Sequence, residues 1–115
     1  MQPRNILASL PDAKAAENTD TLITARGVRL ERIVSLGQVT PEGIWYDQDE
    51  AEWVLLIRGN ARLAIAGEPA VRELQAGDTL FLPARCRHRV TWTDPDQPTI
   101  WLALFIDTSL GPVAL

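Results

Sequence analysis

The chain has 115 residues, 46% hydrophobic and 23% charged, with a formal net charge of −4 and a pI near 4.9. That is the make-up of one soluble globular domain, long enough to bury a single core without staples. The acidic balance, with no lysine or arginine run, argues against nucleic acid and an anionic membrane surface as the main partner.

A single cysteine, Cys86, rules out an intrachain disulfide framework and fits a reducing, cytoplasmic setting. The short apolar run from Ile6 to Leu10 cannot serve as a signal-peptide core, and the longest run, Trp101 to Ile106, is far from a membrane span.

Residues 1–26 read as an N-terminal arm. Pro3 and Pro11 break it, Ile6, Leu7 and Leu10 give it a small apolar patch, and Thr19 to Ala25 reads as a short helix. From Gly27 to Asp107 the pattern is one of strands. Val28, Leu30, Val34 and Leu36 alternate with Arg29, Glu31 and Ser35 in a half-buried strand that ends at Gly37. After a turn at Pro41-Glu42-Gly43 comes the stretch around which the chain is organised, Trp45 to Gly59. A pleated backbone there aims Tyr46, Gln48, Glu50 and Glu52 at one face. The strand continues through Trp53 to Ile57, apolar on both sides.

Gly59-Asn60 reads as a two-residue hairpin turn into Ala61 to Ala66. A short strand from Ala70 to Leu74 follows, then a turn over Gln75 to Asp78, then Thr79 to Leu82, which Pro83 stops. From Arg85 to Thr93 the alternation is marked: Cys86, His88, Val90 and Trp92 share one face, Arg85, Arg87, Arg89 and Thr91 the other. Asp94 to Pro98 is a loop, Thr99 to Ile106 a last strand, and residues 108–115 a tail. Seven or so short strands between turn signals predict an all-β sandwich or barrel.

Glu52 leads a polar segment into a buried strand. An ionised group buried alone costs several kcal/mol, so Glu52 needs a partner, and His88, the only histidine, is the candidate. A histidine held by a carboxylate beside a phenol can move protons, because imidazole titrates near neutrality. This makes His88 and Tyr46 candidate catalytic residues. The plainer alternative is a hydrogen-bonded pair that satisfies two buried polar groups.

Over residues 27–107 the chain resembles the cupins, small jelly-roll β-barrels defined by two motifs, G-x5-H-x-H-x3,4-E-x6-G and G-x5-P-x-G-x2-H-x3-N. Glu52 and Gly59 match the end of the first; Gly77, Pro83 and His88 match the second. The family's two histidines of the first motif fall on Tyr46 and Gln48 with the shorter spacing, preferred because both share parity with Glu52, or on Trp45 and Asp47 with the longer. Arg85 replaces a glycine and Trp92 an asparagine. The resemblance implies a small molecule held inside the barrel, in a pocket ringed by Tyr46, Gln48, Glu52, His88 and Trp92. It also implies three functions: a binding or sensing module, a metal-dependent dioxygenase or isomerase centred on Glu52 and His88, or a metal-free isomerase. A divalent ion such as zinc, iron, manganese or nickel would take Glu52, His88 and Gln48, yet a carboxamide and a phenol are poor ligands.

A homodimer is also expected. A small barrel has one interior, so the doubly apolar strands must leave Trp53, Leu55 and Ile57, with Trp101, Ala103 and Phe105, facing out. The rival cover is the arm, through Ile6, Leu7 and Leu10.

Overall fold

The computed structural model describes residues 1–115 and contains eight strands: β1 Asn18–Ala25, β2 Val28–Ser35, β3 Ala51–Arg58, β4 Asn60–Ile65, β5 Arg72–Gln75, β6 Thr79–Leu82, β7 His88–Thr93 and β8 Thr99–Ile106. A single 3-10 turn, Thr108–Leu110, follows β8. The strands form a five-stranded sheet in the order β1-β2-β8-β3-β6 and a three-stranded sheet in the order β5-β4-β7, antiparallel throughout. The chain is a jelly-roll β-barrel: the strand-and-turn pattern predicts a sandwich or barrel, and the resemblance implies the jelly roll.

Three expectations need correction. The first concerns the helix over Thr19–Ala25. That segment is strand β1, paired with β2 from Asn18↔Val34 to Ala25↔Val28, so the sheet begins inside the region read as an arm. β-Branched Thr19, Thr21, Ile23 and Thr24 favour a strand, and the edge of β2 supplies hydrogen-bond partners that a helix would have had to find internally.

The second concerns Gly59-Asn60, which is no hairpin turn. β3 pairs with β8 and β6, whereas β4 pairs with β5 and β7, so Gly59 is the corner where the chain leaves one sheet for the other. Its φ is +93°, and a side-chain Cβ here would stand 2.7 Å from Thr99 Cα. Only glycine fits so close under β8.

The third concerns β8. In an antiparallel pair, residues directly opposite share a face. Val54 opposes Ala103 and Leu56 opposes Trp101, all four buried, while Trp53 opposes Leu104 and Leu55 opposes Leu102, all four half-buried. Trp53 and Leu55 therefore face out as expected, but their outward companions on β8 are Leu102, Leu104 and Ile106. Trp101, Ala103 and Phe105 point inward.

Two clusters make the core between the sheets. One joins Leu56, Ala61, Leu63, Leu74, Leu82 and Trp101; the other joins Val54, Ala103 and Phe105. The N-terminal segment lies against one end of the outer face. Ile6 O accepts from Arg32 Nη1 at 2.9 Å, Ala13 O from Gln38 Nε2 at 2.6 Å, and Arg4 pairs with Asp20. Under it Arg32, Val34 and Ile100 are buried; farther along, Leu30, Leu104 and Trp53 are only half-buried.

Candidate functional site

Between the sheets lies a cavity of about 270 Å³. That is just below the roughly 300–1,000 Å³ usual for ligand sites, so a guest must be small. Its apolar wall is Ile33, Val54, Leu63, Val90, Trp101 and Phe105, and its polar wall is Glu17, Thr19, Glu31, Tyr46, Gln48, Glu52 and His88.

His88 opens β7 and is 4% exposed. Its Nδ1 lies 2.8 Å from Cys86 O, and a carbonyl can only accept, so Nδ1 carries the proton. This fixes the ring and turns Nε2 toward Glu52, whose Oε1 is 3.5 Å away. Gln48 Nε2 donates to that same oxygen at 3.3 Å. Burial opposes the imidazolium, but the hydrogen bond to Glu52, the Cys86 carbonyl and the carboxylate's charge outweigh it, so the His88 pKa is raised. The two groups that sequence reasoning paired do stand together.

Tyr46 reaches the cavity through backbone pairing rather than through a strand. Its N–H donates to His88 O at 2.7 Å, and His88 N–H donates back to Tyr46 O at 3.1 Å. The two rings stand 5.5 Å apart, with Tyr46 half in solvent at the mouth. The loop from Tyr46 to Glu50 is held by Arg85. Arg85 N–H donates to Gln48 O at 2.8 Å, and its guanidinium pairs with Asp47 at 3.1 Å and Asp49 at 3.0 Å. Arg85 has φ +64° at the position where the resemblance puts glycine. The turn thus keeps the left-handed backbone that a glycine allows, at a cost of about 1–2 kcal/mol.

Two sequence expectations fail locally. Glu50 leaves the shared face, because β3 starts only at Ala51 and period two does not hold before it. It forms a two-pronged ion pair with Arg29, both contacts at 3.1 Å. Trp92 does not line the cavity. Leu63 pairs with Val90 but Arg62 with Trp92, so Thr91 is an extra residue that reverses the parity of the strand. Trp92 swings to the outer side under the Arg62 guanidinium, 5.0 Å from its ring centre, and Thr93 takes the buried place. Conversely, sequence reasoning missed Glu17, Glu31, Trp101 and Phe105. The alternation of β2 contained Glu31, but a strand does not say which of its faces is inside; nothing in the arm singled out Glu17.

The donor set does not fit a resident metal. Glu52 and His88 are strong ligands, but Gln48 and Tyr46 are neutral and weak, and nowhere in the chain do three His, Cys, Asp or Glu side chains gather so as to hold an ion.

Comparison with known proteins agrees with this geometry. Residues 35–105 match the family described as Cupin domain. A solved structure from Ralstonia eutropha JMP134, provisionally named a mannose-6-phosphate isomerase, is 41% identical, with a TM-score of 0.89 over 93% of this chain and 99% of that one. A cupin superfamily protein from Desulfitobacterium hafniense DCB-2 shares the fold at 13% identity, with a TM-score of 0.74 over 91% and 90% of the two chains. No curated protein matches the sequence. No helix is long and apolar enough to cross a membrane. Motif spacing, barrel topology and these likenesses converge: the chain belongs to the cupin family.

Proposed function

We propose that the protein is a small-molecule-binding cupin whose ligand sits in the cavity between the sheets, against His88 and Glu52. One observation carries this reading. His88 is buried and lines the cavity, yet its Nε2 stands a long 3.5 Å from Glu52 Oε1, an oxygen that already accepts from Gln48. A pair present only to satisfy itself would close up to a short hydrogen bond. The lone free thiol, Cys86, supports a reducing, cytoplasmic setting for this activity. Burial pushes that thiol above its ordinary pKa, so it is a poor nucleophile.

The test uses the single histidine. Labelled at histidine only, the protein gives one set of ring signals, and ligands that enter the cavity are expected to move it. Ligands that bind while leaving the His88 ring unmoved would place binding elsewhere and overturn the assignment.

A second reading, a metal-free isomerase, is favoured by the Tyr46 ring beside His88 and by the provisional name of the Ralstonia protein. His88 Nε2 would take a proton from a substrate carbon beside a carbonyl, and the Tyr46 hydroxyl would return one. Solvent deuterium entering mannose 6-phosphate, and its loss in His88→Asn and Tyr46→Phe, would support this. No exchange with the wild type would remove it.

A further inference from the structure

Three carboxylates line the cavity from three separate elements: Glu17 ahead of β1, Glu31 on β2 and Glu52 on β3. No arginine or lysine lines it. Each carboxylate is held in place. Glu17 accepts from Ser35 Oγ at 2.9 Å, Glu31 from Arg29 Nε at 2.8 Å and Glu52 from Gln48 Nε2 at 3.3 Å. Arg29 also serves Glu50, outside the cavity lining, so its one charge answers two carboxylates. The cavity is left with negative charge to spare.

Independent of the carboxylates, the His88 ring in its neutral form presents an acceptor at Nε2. Its Nδ1 proton is committed to Cys86 O, and the nearest charged atom to Nε2 is Glu52 Oε1, another acceptor, at 3.5 Å. A protonated ring would instead neutralise Glu52 and leave Glu17 and Glu31 unanswered. Tyr46, Trp101 and Phe105 supply aromatic surface on the same walls. Phe105 already carries a cation: the Arg29 guanidinium stands 4.4 Å over its ring, flanked by Glu31 and Glu50. Excess carboxylate, an unfilled acceptor and aromatic rings call for one kind of guest, a cation that bears N–H groups and a short apolar body. An anion would meet three carboxylates and only Arg29, whose charge is already taken by Glu31 and Glu50.

We propose that the cavity binds a small organic ammonium, its charge among Glu17, Glu31 and Glu52, an N–H on His88 Nε2 and its carbon skeleton against Trp101 and Phe105. The proposal rests on the cavity being the ligand site. The experiment titrates histidine-labelled protein at neutral pH with butylammonium, with butan-1-ol and with mannose 6-phosphate, following the His88 ring signals. Butylammonium is expected to move them and to bind about tenfold tighter than the alcohol of matching size. Glu31→Gln should remove most of that preference, and Glu17→Gln, at an exposed position, part of it should Glu31→Gln fail to fold. Equal binding of the alcohol, or tighter binding of mannose 6-phosphate, would overturn the ammonium while leaving the cavity as the ligand site. Unmoved His88 signals with all three would overturn both.

Discussion

The two faces of the five-stranded sheet follow opposite rules. Its inner face mixes core side chains, Val54, Leu56, Trp101 and Ala103, with buried or half-buried polar ones, Glu31, Ser35 and Glu52. Its outer face, beyond the Asp20–Arg32 end, runs through Leu30, Leu104, Trp53, Leu55 and Phe81, apolar side chains that are only half-buried. Polarity lies inside and apolar surface outside. A sheet that served only its own fold would do the reverse, and we propose that each face serves something beyond the fold: the inner a ligand, the outer a second chain.

Breaking the outer face gives the largest effect. We propose that a second copy covers it, related by a two-fold axis. The N-terminal segment is placed and reaches only the Arg32, Val34 and Ile100 end. What it leaves is a run of apolar side chains, Leu30, Leu104, Trp53, Leu55 and Phe81, each only half-buried, which a second chain would finish burying. Light scattering at micromolar concentration should give twice the 12.7 kDa of one chain, and Leu104→Glu should return it to one. A wild-type mass of one chain would refute the dimer.

Two tryptophans on opposite faces sharpen the contrast. Trp101, 5% exposed among Leu56 and Leu63, should cost about 3–5 kcal/mol on replacement by alanine. Trp53→Ala should cost less in dilute protein, and its cost should grow with protein concentration if the dimer forms. Urea unfolding at two concentrations measures both, and equal costs would mean that the faces do not differ as described.

That same contrast marks what could be read from sequence. The strands from β2 onward, the barrel and the pairing of Glu52 with His88 were legible, because turn residues and motif spacing are local signals. The facing of β8 was not: Ile100 to Ile106 is apolar at every position, and its parity is set by the partner, Val54 opposite Ala103. Trp92 was misplaced because a bulge at Thr91 leaves no mark in the alternation. Glu17 was invisible, since only the fold brings the arm to Ser35.

On the inner face, Glu52→Ala should destabilise by about 1–3 kcal/mol, because it strips a buried imidazole of its charged neighbour and leaves Gln48 Nε2 without its acceptor. Glu52→Gln, which keeps an acceptor, should recover part of the loss. Thermal melts at neutral pH measure this; equal midpoints for wild type and alanine variant would show that the pair contributes nothing.

The smallest effect is a pH dependence, and its sign follows from the same pair. The folded-state pKa of His88 is raised above the ordinary 6.5, because Glu52 and the Cys86 carbonyl outweigh the burial that opposes the imidazolium. The folded chain then holds a proton that the unfolded chain has released. Stability gained from it is complete below about pH 6.5 and is lost as pH rises through the folded-state value. Glu31, Glu52 and Tyr46 share the cavity with the ring, and the Cys86 thiol, pushed up from 9.0, titrates above this window. Melting temperatures taken upward from pH 6 should therefore fall more for the wild type than for His88→Asn, and Glu52→Gln should flatten the wild-type slope as well. Parallel profiles for wild type and His88→Asn would mean that the ring takes up no proton on folding, and that the inner face holds its histidine neutral.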